Sequence, residues 1–116
     1  MKTKNHRLYL EDILEALEKT QRYVKGLTYD TFVKNDMAVD AVIRNLEIIG
    51  EAAKHLPQDI KDKYPDIPWK RMIGLRNIAV HEYFGVDLSI IWEVITKNLP
   101  ETKARIAEVL KSLDNM

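Results

Sequence analysis

The sequence predicts an all-α protein, an up-and-down bundle of four main helices with one or two short ones. Three observations lead there. Apolar residues recur at steps of three and four along most of the 116 residues, the spacing of helices that bury one face. No segment shows the strict alternation of a half-buried strand bounded by turns. The four prolines stand at the ends of the periodic segments, where a helix starts, stops or kinks. At this length a single domain with one core, residues 1–116, is expected.

The first amphipathic stripe is Leu10, Ile13, Leu14, Leu17, Gln21 and Val24, a helix from about His6 to Lys25 in which Gln21 alone breaks the apolar run. Gly26 suits its stop, and Thr28 to Thr31 offers a cap for a short helical turn through Phe32 and Val33. Asn35-Asp36 starts the strongest segment, Met37 to Leu56. There Val39, Val42, Ile43, Leu46, Ile49, Gly50 and Ala53 keep the 3.6 period, and Ala41, Ile48 and Ala52 widen the stripe around most of the circumference. Such a helix is either central in the bundle or packed against a second subunit. Gly50 in mid-helix costs roughly 1 kcal/mol against alanine, so a close helix–helix approach is expected at that point.

Pro57 and Pro68 both suit a first helical position. They predict a short helix from Pro57 to about Lys63, a turn at Tyr64 to Ile67, and a new helix from Pro68-Trp69 that carries Met72, Ile73 and Arg76 on the face of Trp69. Lys70 and Arg71 beside Arg76 would make a small basic cluster. Gly85 and Asp87 suggest the end of that helix and the cap of the next. Leu88, Ile91, Trp92, Ile95 and Leu99 then form a stripe, and Pro100 starts or kinks a last helix through Leu113.

Composition narrows the function. Lys plus Arg equals Asp plus Glu at 18 each, so no global positive field draws in nucleic acid and any such contact needs a local patch. The absence of cysteine excludes a disulfide scaffold, a thiolate zinc site and a cysteine nucleophile, and suits a reducing cytosol. No apolar run approaches the ~20 residues that span a bilayer, and the N-terminus lacks the apolar segment of a signal peptide. A cytoplasmic protein without membrane contact is expected.

The densest chemistry lies in Arg76-Asn77-Ile78-Ala79-Val80-His81-Glu82-Tyr83. Arginine holds a phosphate with a planar fork of donors, and histidine titrates near neutral pH, so the pair suits a phosphodiester. Residues five apart on an unbroken helix point about 140° from each other. For Arg76 and His81 to share one phosphate, the helix must end, bend or unwind between them, or a second subunit must bring its own copy. Cleaving RNA without a metal also needs both a base and an acid, which one imidazole does not easily supply. A twofold dimer would bring two His81 and two Arg76 side chains to one cleft, and the wide apolar face of Met37 to Leu56 would suit such a dimer. The plainer alternative is a helix end whose Arg, His and Tyr serve the dipole and the core.

Asp40, Arg44, Glu47 and Glu51 recur along one line of the long helix. They read either as a solvated face with ion pairs or, for Arg44, Glu47 and Glu51, as lining the cleft of the Arg76–His81 motif. No His, Asp and Glu spacing resembles a metal site, and no cofactor is expected.

Three blocks, Arg44-Asn45-Leu46-Glu47-Ile48-Ile49-Gly50-Glu51-Ala52, Tyr64-Pro65-Asp66-Ile67-Pro68-Trp69, and Arg76-Asn77 through His81-Glu82-Tyr83, together resemble the HepT-like family of HEPN-domain proteins. These are the helical partners of minimal nucleotidyltransferases in prokaryotic toxin–antitoxin pairs. The resemblance covers nearly the whole chain and includes the R-x4-H-x-Y motif with its polar residue, here Asn77. It implies a HEPN-like bundle and a homodimeric, metal-independent RNA endonuclease toxin. Arg76 and His81 would be the ribonuclease residues, and Tyr83 the site where the cognate nucleotidyltransferase antitoxin attaches AMP. The alternative it leaves open is a non-catalytic accessory subunit that presents a nucleotide or substrate to that nucleotidyltransferase.

Overall fold

A computed structural model of the chain describes residues 2–81 and 88–114, apart from the side chains of residues 2–5 and 79–81. The described residues form α1 (Lys2–Val24), α2 (Tyr29–Val33), α3 (Asp36–His55), α4 (Gln58–Lys63), α5 (Trp69–His81), α6 (Leu88–Glu93), a π-helical segment (Val94–Asn98) and α7 (Leu99–Asp114). They include no strand. The expected bundle of four main helices is present, with α6, the π segment and α7 running on as the fourth. No described helix is long and apolar enough to cross a membrane.

Local chemistry fixes the boundaries. Gly26 takes φ of 80° after α1, a conformation open to glycine at little steric cost, and the chain turns there as expected. Thr28 and Thr31 make a reciprocal capping box around the start of α2, each side-chain hydroxyl accepting from the other residue's backbone N–H at 3.2 and 2.8 Å. Asn35 Oδ1 accepts from the Ala38 N–H at 3.0 Å and caps α3. Pro57 is the N-cap of α4 with extended backbone, one position earlier than expected. Pro68 likewise precedes α5, and its carbonyl accepts from the Met72 N–H at 3.0 Å. The turn before it is tied by Trp69 Nε1–H, which donates to the Tyr64 carbonyl at 3.0 Å.

The stripe that leads to Pro100 holds a feature that periodicity did not foretell. Between Val94 and Asn98 the helix widens to a π turn, closed by the Leu99 N–H donating to the Val94 carbonyl. Proline lacks an N–H, and its ring crowds the carbonyl four residues back. A π bulge just before Pro100 is one way a continuous helix accommodates that defect.

Helix α3 is the axis of the fold. Its most extensive contacts are with α1 on one side and α5 on the other, and Val42, Leu46, Ile49 and Ala53 are almost wholly removed from solvent. Of the two readings of its wide apolar stripe, the central one is realised: neighbours within the chain cover most of the girdle, while Met37 stays exposed and Ala41 and Ile48 are only partly buried. Helix α1 also packs on α7, where the break in its stripe is satisfied: Lys103 Nζ donates to Gln21 Oε1 at 2.9 Å. Phe32 of α2 is fully buried, with its ring centroid 5.1 Å from that of Trp92.

Candidate active site

The site is built on the crossing of α3 and α5. A Cβ on Gly50 would lie 2.7 Å from both the Cβ and the backbone nitrogen of Arg76, and 3.1 Å from its Cα. Only a residue without a side chain lets the backbones meet this closely. The contact anticipated at Gly50 is therefore made, and the residue it is made against is the motif arginine.

The next residue along α3, Glu51, takes up the guanidinium: its Oε1 pairs with Arg76 Nε. The Arg76 side chain is 45% exposed and that of Glu51 38%. Solvent screening at such exposure limits the pair to at most about 1 kcal/mol of stability. What the pair supplies is orientation. A guanidinium carries five N–H donors, so a carboxylate on its Nε side still allows a phosphate to be gripped by the others.

Glu51 has a second partner. His55 Nε2 stands 3.7 Å from Glu51 Oε2, and the His55 ring stacks on Tyr9 of α1, with centroids 5.6 Å apart and planes inclined by 21°. Arg76, Glu51, His55 and Tyr9 thus form a continuous chain of contacts across three helices. Arg44 and Glu47 stand further along the same face of α3, paired at 3.5 Å. With Asp12, Ile48 and the Glu51–His55–Tyr9 group they line a furrow of about 250 Å³ between α1 and α3.

The predicted site residues are therefore not all gathered. Arg44, Glu47 and Glu51 share one furrow, and Glu51 alone reaches Arg76 among the described contacts. Asn77 is exposed. The basic cluster forms without the motif arginine: Lys70 and Arg71 line one surface hollow with Lys61, whereas Arg76 turns toward α3. Helix α5 continues without interruption through His81. This sets aside one of the two routes by which Arg76 and His81 could share a phosphate, a break between them, and leaves position 81 about 140° around the helix from position 76. The His81 side chain lies outside the described residues, as do Tyr83 and the expected helix end at Gly85-Asp87.

Two residues of this constellation were not singled out from the sequence. His55 continues the line of Glu47 and Glu51 by another step of four, a signal that was present but is easily read as a dipole partner in the last turn. Tyr9 carries no comparable signal, because only the packing of α1 on α3 brings it to His55.

Against this geometry, the sequence pattern of a family described as ribonuclease HepT-like matches residues 13–109. The chain belongs to that family. HepT-like relatives align along almost its whole length. A protein of Caldanaerobacter subterraneus, provisionally named an RNase, is 44% identical over 108 residues, 93% of this chain and 96% of the relative. A protein of Thermococcus cleftensis named a probable ribonuclease HepT is 38% identical over 108 residues, 93% of this chain and 98% of the relative. A Methanocaldococcus jannaschii protein, named for a gamma-glutamylcyclotransferase and provisionally for an RNase, is 44% identical over 111 residues. This chain spans half the length of that two-function relative. No solved structure matches the chain significantly.

Proposed function

We propose that this HepT-like protein is a cytoplasmic, metal-independent RNA endonuclease toxin that works as a homodimer. The observation that carries the reading is Arg76. It is half exposed where α3 and α5 meet backbone to backbone at Gly50, with its guanidinium directed by Glu51. Arg76 grips the phosphate and stabilises the charge that builds on it in the transition state.

The unbroken α5 supports the dimer, since positions 76 and 81 of one chain lie on different faces of the helix and a second copy would bring an arginine and a histidine to one cleft. One His81 imidazole takes the proton of the ribose 2'-hydroxyl as that oxygen attacks phosphorus. The imidazolium of the other His81 protonates the departing 5'-oxygen as its bond to phosphorus breaks. The products are a 2',3'-cyclic phosphate and a free 5'-hydroxyl, and the two histidines end with their protonation states exchanged.

Control falls to Tyr83. A nucleotidyltransferase antitoxin attaches AMP to its hydroxyl, and the added phosphate and nucleoside compete for the place of the RNA phosphate near Arg76. The deciding experiment is RNA cleavage by purified protein in EDTA, wild type beside His81→Ala. Cleavage lost in the variant and kept in the chelator is expected, whereas equal activity in the two proteins sinks the assignment. For the control step, the partner and ATP are expected to add an adenylyl mass to wild type and none to Tyr83→Phe.

A further inference from the structure

We propose that the furrow between α1 and α3 is a nucleobase subsite, in which the base beside the phosphate held by Arg76 stacks on the Tyr9–His55 platform. The inference deepens the ribonuclease reading and rests on Arg76 being the phosphate clamp.

Three features support it. The first is the platform. Tyr9 is partly buried against the hydrophobic core and backs the His55 ring in near-parallel stacking, while the His55 side chain remains 57% exposed. A supported ring that keeps an open surface is the kind of group on which single-stranded nucleic acid stacks its bases.

The second is placement. Glu51 touches both the guanidinium of Arg76 and the imidazole of His55, one through each oxygen. The phosphate grip and the ring are one carboxylate apart, a gap that a ribose bridges between a phosphate and a base.

The third is charge. Asp12, Glu47 and Glu51 line the furrow with Arg44 and His55. Arg44 is engaged by Glu47, and no ion pair of Asp12 is present among the described residues. Such a furrow disfavours a second phosphate. Its carboxylates are acceptors only, suited to the N–H donors on a base edge. The base and not the backbone therefore enters the furrow, and bases with an exocyclic amine fit it better than uracil.

The test is binding without cleavage. A 2'-deoxy oligonucleotide lacks the attacking hydroxyl, so its affinity for the full chain, read by fluorescence anisotropy, is independent of catalysis. Loss of one stacked base is expected to weaken binding about tenfold or more in His55→Ala. His55→Phe keeps a stacking face without the imidazole, and affinity within about threefold of wild type is expected. Wild-type affinity in His55→Ala overturns the subsite. Equal weakness in Ala and Phe variants overturns stacking, because the imidazole's pairing with Glu51 then accounts for the loss. Arg76→Ala separates the two readings. If it weakens binding while His55→Ala does not, the subsite alone fails; if it leaves binding unchanged, the phosphate clamp fails and the subsite with it.

Discussion

Helix α5 has two glycine-marked neighbourhoods that behave in opposite ways. On the α3 side, Gly50 admits the backbone of Arg76 so closely that a methyl group would strike its main-chain nitrogen and its Cβ at 2.7 Å. On the other side, Gly74 borders a cleft of about 480 Å³ between α5 and α7, and a Cβ there meets no described atom within 4 Å. Both glycines sit in mid-helix and carry the same cost in helix propensity. Only the first is required by packing. The difference shows that α5 is anchored along one edge, and that the anchored edge is the one that holds the motif arginine.

That contrast can be broken at four points. Arg76→Ala keeps the Cβ that meets Gly50 and removes the guanidinium, so cleavage is expected to fall by about a hundredfold or more with little change in melting temperature. A large loss of stability instead would make Arg76 a packing residue first. Gly50→Ala drives a methyl group into backbone that cannot rotate away, and urea denaturation is expected to show a loss of about 1–3 kcal/mol. Stability at or above wild type would mean that the two helices part easily. Glu51→Gln keeps the volume and removes the charge that directs Arg76. Cleavage is expected to drop about tenfold while stability moves by less than about 1 kcal/mol, because the pair is half exposed. Full activity would leave Glu51 a bystander. The smallest effect belongs to Gly74→Ala, expected to stabilise by up to about 1 kcal/mol through helix propensity alone. A destabilised variant would show that the cleft side of α5 is packed after all.

Much of the fold could be read in the sequence because burial in a bundle repeats with the helix period. Leu10, Ile13 and Leu17, or Val39, Val42, Leu46 and Ile49, are spaced by the geometry that buries them. The close approach at Gly50 was also legible, since a mid-helix glycine in so apolar a stripe needs a reason. Its partner was not, because the rotation of α5 against α3 is set by tertiary packing and leaves no trace in either stripe. The same limit hid the stacking of Tyr9 on His55, a contact between residues 46 positions apart in sequence. The π turn escaped for another reason: Pro100 signals a missing donor, but several backbone responses satisfy it. Of the motif, the sequence supplied the residue types and their angular divergence; between a helix break and a second copy it did not choose, and α5 stays regular to its last described residue.

The grip of Glu51 on Arg76 has a thermodynamic consequence. A free arginine side chain carries roughly 2 kcal/mol of rotamer entropy, much of which is lost when it closes on a phosphate. Here the backbone is clamped at Gly50 and the Nε edge is already held, so a large part of that ordering is completed during folding and not at encounter. The arginine is preorganised: calorimetry should find phosphate binding less opposed by entropy in the wild type than in Glu51→Gln, even where the two affinities are close.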